Sequence, residues 1–297
     1  MGHVGDAMKK FGAEPPRDDG PRKPAPGQAG ASAPAGSAPA PLGDQAVGTV
    51  AGLLDVQEKS VQRPTNNRIA SSGFSGSLVA HHDRGGRVTE QYRVIRTNLM
   101  AKFPERRFCT MISSAQPHEG KTATTLNLGI ILAETQEGRT VVLDGDLRKK
   151  TKESIATFLG VKGGPGVVDI LRGQAKVKDV LRTTEYPGLD ILTAGQAQAS
   201  EIGDLLTRPE LAELLCELRQ RYNYVLIDTP PVNLFADATI IGHHVCGALL
   251  VVSMYNTRRE SIRQSIRLLH AVNIDVLGMV LTKQRYVGEK YTYKYYS

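Results

Sequence analysis

Beyond residue 80, two patterns of apolar positions alternate along the chain. The runs Phe108–Ser113, Thr140–Leu143, Leu189–Leu192, Tyr224–Ile227, Ala248–Val252 and Val276–Leu281 are apolar almost throughout and bounded by turn residues, so they read as strands. Between them lie stretches with helical spacing. One runs from Glu90 to Lys102, with Thr89 as its expected cap and Pro104 as its stop. Others run from Lys121 to Glu134, from Pro209 (suited to a first helical turn) to Arg221, and over Ala236–Val245 and Arg258–Val272. Shorter helices are expected at Ile155–Leu159, Val167–Leu171 and Val177–Arg182.

Strands that are apolar on both faces and alternate with helices suit a parallel sheet covered on each side. The expected fold is therefore α/β, a doubly wound and mostly parallel sheet. Ligands of such sheets lie at the C-terminal ends of the strands. Three strand ends here are conspicuously polar, those after Ser113, Leu143 and Ile227.

Composition matters most at the two ends of the chain. Between Pro21 and Val50, 21 of 30 positions are Ala, Pro, Gly or Ser, and the only aromatics in residues 1–80 are Phe11 and Phe74. Such a stretch buries too little apolar surface to offset its ordering entropy. Residues 1–80 are expected as a disordered tail, 81–285 as the folded domain and 286–297 as a C-terminal segment. Of the net charge of +7, +5 falls from Arg258 onward, where eight Lys/Arg face three Asp/Glu. Charge alone selects no partner, and a nucleic-acid partner is not expected. No run approaches the roughly 18–20 apolar residues of a membrane span, and the N-terminus lacks a signal-peptide layout. Cys109, Cys216 and Cys246 are unclustered, which predicts a cytoplasmic chain with reduced cysteines buried as small hydrophobes.

The chemistry gathers at the polar strand ends. Ala115-Gln116-Pro117-His118-Glu119-Gly120-Lys121-Thr122 follows a strand and opens a helix, with Ala123 next. Gly120 admits close backbone approach, Lys121 suits the β- and γ-phosphates, and the Thr122 hydroxyl suits magnesium. Amides at the helix start complete an anion site. Ala115 and His118 depart from the usual glycines, and His118 must then tolerate a left-handed backbone. Asp144-Gly145-Asp146-Leu147-Arg148 puts two carboxylates and a guanidinium after the second strand. Val225-Leu226-Ile227-Asp228 has the form that reaches toward phosphate-bound magnesium. A solvated turn explains any one of these ends; all three in this order predict nucleotide binding.

Together these segments make Glu90 to Ser297 resemble the bacterial tyrosine autokinases of capsular and exopolysaccharide biosynthesis, relatives of the partitioning and septum-positioning ATPases. Asp144-Gly145-Asp146-Leu147-Arg148-Lys149 matches the family's second Walker A-type motif. Val225 to Pro231 matches its Walker B segment, with Asp237 opening the next helix. The positioning ATPases carry a second lysine five residues before the phosphate-loop lysine, where this chain has Gln116. Tyr286, Tyr291, Tyr293, Tyr295 and Tyr296 are five of the ten tyrosines, packed into the last twelve positions. In the family such a cluster is phosphorylated in a neighbouring subunit's active site.

The resemblance implies ATP and Mg²⁺ as cofactors. Lys121 would act on the leaving phosphate, and Thr122, Asp146 and Asp228 would hold magnesium. Asp144 would orient or deprotonate the tyrosine, with an exchange between Asp144 and Asp146 left open. It also implies a ring-forming homo-oligomer joined through Glu90, Arg93 and Arg96, for which local ion pairing is the alternative. A membrane-embedded chain-length regulator, as a separate chain, would activate the kinase at the inner face of the plasma membrane. Two other readings remain: a positioning ATPase, which leaves the tyrosines and Gln116 unexplained, and a catalytically silent scaffold.

Overall fold

The computed structural model describes residues 68–135, 138–149 and 154–283. Every expected strand forms. They are β1 (Phe108–Ser114), β2 (Thr140–Asp144), β4 (Leu189–Leu192), β5 (Tyr224–Asp228), β6 (Ala248–Ser253) and β7 (Val276–Thr282), joined by a two-residue β3 (Arg182–Thr183). The sheet order is β3-β4-β2-β5-β1-β6-β7, parallel except where β3 pairs antiparallel with β4. All of β1, β2, β4, β5 and β6 is buried, as continuous apolar runs require, whereas edge strand β7 is mostly half-exposed.

Apolar layers cover both faces. One face packs under α1 (Val79–His82), α2 (Arg87–Lys102), α3 (Lys121–Ala133) and α4 (Ile155–Phe158). The other is covered by α5 (Val167–Leu171), α6 (Val177–Val180), α7 (Ile202–Thr207), α8 (Pro209–Arg221), α9 (Asp237–Gly242) and α10 (Arg259–Ala271). Helix α3 lies deepest, buried from Lys121 to Leu132 except Ala123. Two of its polar side chains bond back into the helix: Thr125 Oγ1 donates to Lys121 O at 2.9 Å, and Asn127 Nδ2 to Ala123 O at 2.8 Å.

Four expectations need correction. The domain begins before residue 81, because Ile69, Phe74 and Leu78 are buried in the core. Asn127 ties this segment down, donating to Ser77 O at 3.0 Å and accepting from Ala80 N–H at 2.8 Å. Residues 1–67 lie outside the described residues. Thr89 does not cap α2: the helix starts at Arg87 after Gly86, and Thr89, buried within it, donates to Asp83 O at 2.6 Å. The helix expected to reach Arg182 ends at Val180, because Arg182 and Thr183 pair with β4. Cys216 and Cys246 are exposed; only Cys109 is buried.

Candidate active site at the strand ends

The phosphate loop is shaped by its glycine and held by its glutamate. Gly120 has φ +96° and His118 φ +59°, so His118 adopts the left-handed conformation its position demanded. Glu119 is buried beneath the loop, where its carboxylate accepts from Gln116 N–H at 2.9 Å and from the Thr257 hydroxyl. Its carbonyl accepts from Thr282 Oγ1 at 2.6 Å, which ties the loop to the end of β7. Ser114 Oγ donates to Gln116 O at 2.6 Å. The loop is thus braced from below and leads into α3 at Lys121.

The two aspartate segments meet this loop because β2 and β5 are neighbours, with Asp144 in register with Asp228. Gly145 makes the crossing possible. Its N–H donates to Asp228 O at 2.8 Å, and a Cβ there would lie 2.8 Å from Ile227 Cγ2. Thr122 Oγ1 donates to Asp228 Oδ2 at 2.7 Å, which joins the loop to the Walker B strand. Asp144 and Asp228 are wholly buried, and Asp228 Oδ1 and Asp144 Oδ1 have no hydrogen-bond partner among the described residues. Buried carboxylate oxygens of this kind are costly in a purely structural role.

A cavity of about 330 Å³ opens above, lined by Pro117, His118, Lys121, Asp146, Arg148 and Lys149 with Phe235 on its far wall. Burial pulls the Lys121 ammonium below its ordinary value, against the attraction of Asp228. Burial raises Asp144 to about 7, with Lys149 opposing and Asp228 adding to the rise. Asp146 is also raised by burial against the pull of Lys149. Burial disfavours the charge of Lys149, but Asp228, Asp144 and Asp146 outweigh it and hold this ammonium above the usual lysine range. Arg148 donates from Nε and Nη2 to the two oxygens of Asp237, at 2.6 and 2.9 Å, and stacks 4.7 Å over Phe235.

Thr122, Asp146 and Asp228 are hard oxygen donors, and the unpartnered Asp228 oxygen fits a divalent cation. Among the described residues, no three or more His, Cys, Asp or Glu side chains are arranged to hold a metal by themselves. Two carboxylates and a hydroxyl suit magnesium that completes its coordination with water and phosphate.

A family model described as an AAA domain matches residues 112–255, which span the loop, both aspartate segments and the sheet between them. The chain is 32% identical over 210 residues to the tyrosine-protein kinase YwqD of Bacillus subtilis, covering 70% of this chain and 86% of that protein. The chain belongs to the bacterial tyrosine-protein kinases.

The kinase fold of solved relatives agrees. The VpsO kinase domain superposes with a TM-score of 0.61 at 33% identity, over 69% of this chain and all of that one. The chimerical protein CapA2B2 gives 0.65 at 28% identity, over 74% and 93%. The tyrosine-protein kinase Wzc of Salmonella typhimurium is 30% identical over 217 residues, but those make up 29% of its length.

Of the residues expected in this kinase's site, Pro117, His118, Lys121, Asp146 and Arg148 line the cavity, and Thr122 and Asp228 adjoin it. Asp144 does not reach it; its Oδ2 accepts from Ile155 N–H at 3.0 Å. Gln116 and Glu119 build the loop rather than the cavity wall, while Gly120 and Ala123 flank Lys121. Lys149 is the residue that sequence reasoning missed as a participant. Glu90, Arg93 and Arg96 lie apart from the site, between α2 and the end of α3. Arg93 pairs with Glu90 and, at 3.5 Å, with Glu134, and Arg96 donates to Ile131 O at 2.9 Å. Local pairing, the alternative to an interface, is therefore present. Tyr286, Tyr291, Tyr293, Tyr295 and Tyr296 lie outside the described residues. No helix among the described residues is long and apolar enough to cross a membrane.

Proposed function

We propose that this kinase binds ATP·Mg²⁺ at the strand ends and phosphorylates the tyrosine cluster 286–296 of a neighbouring copy. The reading rests on one observation: Lys121 and Asp146 line a single cavity beside the phosphate loop, and Lys149, on the same wall, ties Asp146 to Thr122 and Asp228 behind it. Gln116 through Ala123 cradle the phosphates, and Lys121 neutralises charge moving onto the β–γ bridging oxygen. Thr122, Asp146 and Asp228 hold magnesium, which supplies further neutralisation of phosphate charge. The tyrosine oxygen bonds to the γ-phosphorus as the bond to the bridging oxygen breaks. ADP leaves with that electron pair, and the phenolic proton passes to a carboxylate. Asp146 borders the cavity and holds the metal, while Asp144 supports the site from beneath, so the base and metal roles stay exchangeable between these two carboxylates. Such transfer depends on positioning and charge more than on a strong base.

The same reading extends to assembly. Each phosphorylated tyrosine gains roughly −1.5 to −2 charges, which would turn a basic tail acidic and drive it from a neighbour's carboxylate-rich site. A ring assembled through α2, which also exposes Val88 and Val94, would then come apart and so regulate polysaccharide polymerisation and export. A separate membrane-embedded chain-length regulator would activate the kinase at the inner face of the plasma membrane.

Mixing tests the transfer. A variant with all five tail tyrosines changed to Phe should not label its own tail, yet should phosphorylate the tail of Lys121→Met protein. An unlabelled mixture, with activator present, defeats transfer between copies. Label persisting in the all-Phe variant alone would move the acceptor elsewhere, first to the exposed Tyr255.

A further inference from the structure

Lys149 lies three residues beyond Asp146, and its ammonium is buried at the centre of the site. Nζ donates to Thr122 Oγ1 at 2.6 Å and to Asp228 Oδ2, and it lies 3.7 Å from Asp146 Oδ2. Its side chain is 8% exposed. These are the same three side chains that the proposed function assigns to magnesium. Metal–oxygen bonds of about 2.0–2.1 Å need those lone pairs and that space. An ammonium and a magnesium ion cannot use them together.

We infer that Lys149 is a built-in competitor of magnesium, pairing with Thr122, Asp146 and Asp228 until the metal enters with nucleotide phosphates. The inference rests on the magnesium reading above. Asp144, Asp146 and Asp228 bring three carboxylates into one buried cluster, and among the described residues Lys121 and Lys149 are the cations that face them. Metal entering alone must strip Lys149 of its oxygen partners without bringing the ammonium new ones, which is expensive. Metal entering with phosphate provides new partners, because Lys149 borders the same cavity as Lys121. Room to withdraw exists on its other side, in a neighbouring cavity of about 450 Å³ beside Thr157, Thr193 and Gly195. Lys149 would thus make metal binding depend on nucleotide and keep the carboxylates positioned before it arrives.

Binding of Mn²⁺, followed by electron paramagnetic resonance on the full chain without nucleotide, tests this. Lys149→Met keeps an unbranched side chain and removes the charge. It should bind Mn²⁺ at least about tenfold more tightly than wild type, tenfold being about 1.4 kcal/mol. Lys149→Arg, which keeps the charge, should remain as weak as wild type. Equal affinity in wild type and Lys149→Met, or tightening in Lys149→Arg, overturns the inference. Wild-type protein gives a second measurement should Lys149→Met fail to fold. Acylation of Lys149, read by mass spectrometry, should be slow without metal and faster in saturating Mg²⁺ without nucleotide; an unchanged rate is the contrary result. No Mn²⁺ binding by wild type even with ADP would remove the magnesium site itself, and with it the inference.

Discussion

Two groups of charged side chains in this kinase look alike in sequence and differ in what holds them. Under the strand ends, Lys121, Asp144, Asp146, Lys149 and Asp228 are buried, and Asp144 and Asp228 each keep an oxygen unpartnered among the described residues. Between α2 and α3, Glu90, Arg93, Arg96 and Glu134 are partly exposed and satisfy one another or a helix-terminal carbonyl. Folding alone explains the second group, since exposed pairs cost little and the end of a helix needs donors for its carbonyls. It does not explain the first. Buried carboxylates left short of partners are kept where a ligand will use them.

The largest effect should come from the buried group. Lys121→Met should lower autophosphorylation on the order of 10²–10³-fold or more, as loss of one transition-state charge partner does, with little change in unfolding temperature. Phosphotyrosine mapping after incubation with ATP·Mg²⁺ checks this, and unchanged labelling would sink the assignment of the loop.

Asp228→Asn should impair stability as well as activity, which Lys121→Met should not. Lys149 and Thr122 both lose their carboxylate partner, and leaving a buried charge short of compensation costs about 3 kcal/mol. Urea unfolding without nucleotide measures it; wild-type stability in this variant would mean that Asp228 does not anchor the cluster.

Asp144 gives the comparison a pH axis. Its carboxyl is raised from 3.8 to about 7, so across that window the folded chain retains a proton that the unfolded chain has released. Stability from this group is therefore greatest at the acid end and falls as pH rises, by up to about 1.4 kcal/mol per unit. Asp144→Asn should flatten that slope. Unfolding at pH near 4.5 and 7, without nucleotide, should show a smaller difference than in wild type; equal slopes would place the charge elsewhere.

The exposed group should respond least. Arg93→Ala with Arg96→Ala should cost about 1 kcal/mol, because these side chains are 25% and 21% exposed and their pairs are screened. If α2 also joins subunits, the same variant should shift toward monomer in sedimentation at low ionic strength. An unaltered profile would leave the helix with its local role alone.

The strands were readable because a run buried on both faces must be apolar throughout, as in Val141–Leu143 and Val225–Ile227. Strand β3 was not, since Arg182 and Thr183 carry no pattern and pair only because β4 passes beside them. Helix α7 is short and joins α8 with only Arg208 between them, so its apolar residues Ile202, Leu205 and Leu206 blend into the neighbouring segment. Ile69, Phe74 and Leu78 are too sparse to announce a core segment, and α3 buries them through Asn127 and its apolar neighbours.

By itself the sequence determined the order of the six longer strands and most of the helices between them, the loop ending in Gly120-Lys121-Thr122 and the two aspartate-bearing strand ends. Each of these is written in contiguous residues whose spacing is a local property of helices, strands and turns. Only the tertiary structure decided that Lys149, in a polar stretch that reads as solvated, is buried against Thr122 and Asp228. It also decided that Asp146 reaches the cavity while Asp144 does not, and that Arg148 is anchored by Asp237. Those relations join residues 27, 79 and 89 positions apart. They depend on the parallel pairing of β2 with β5 and the close crossing at Gly145, which no local spacing along the chain encodes.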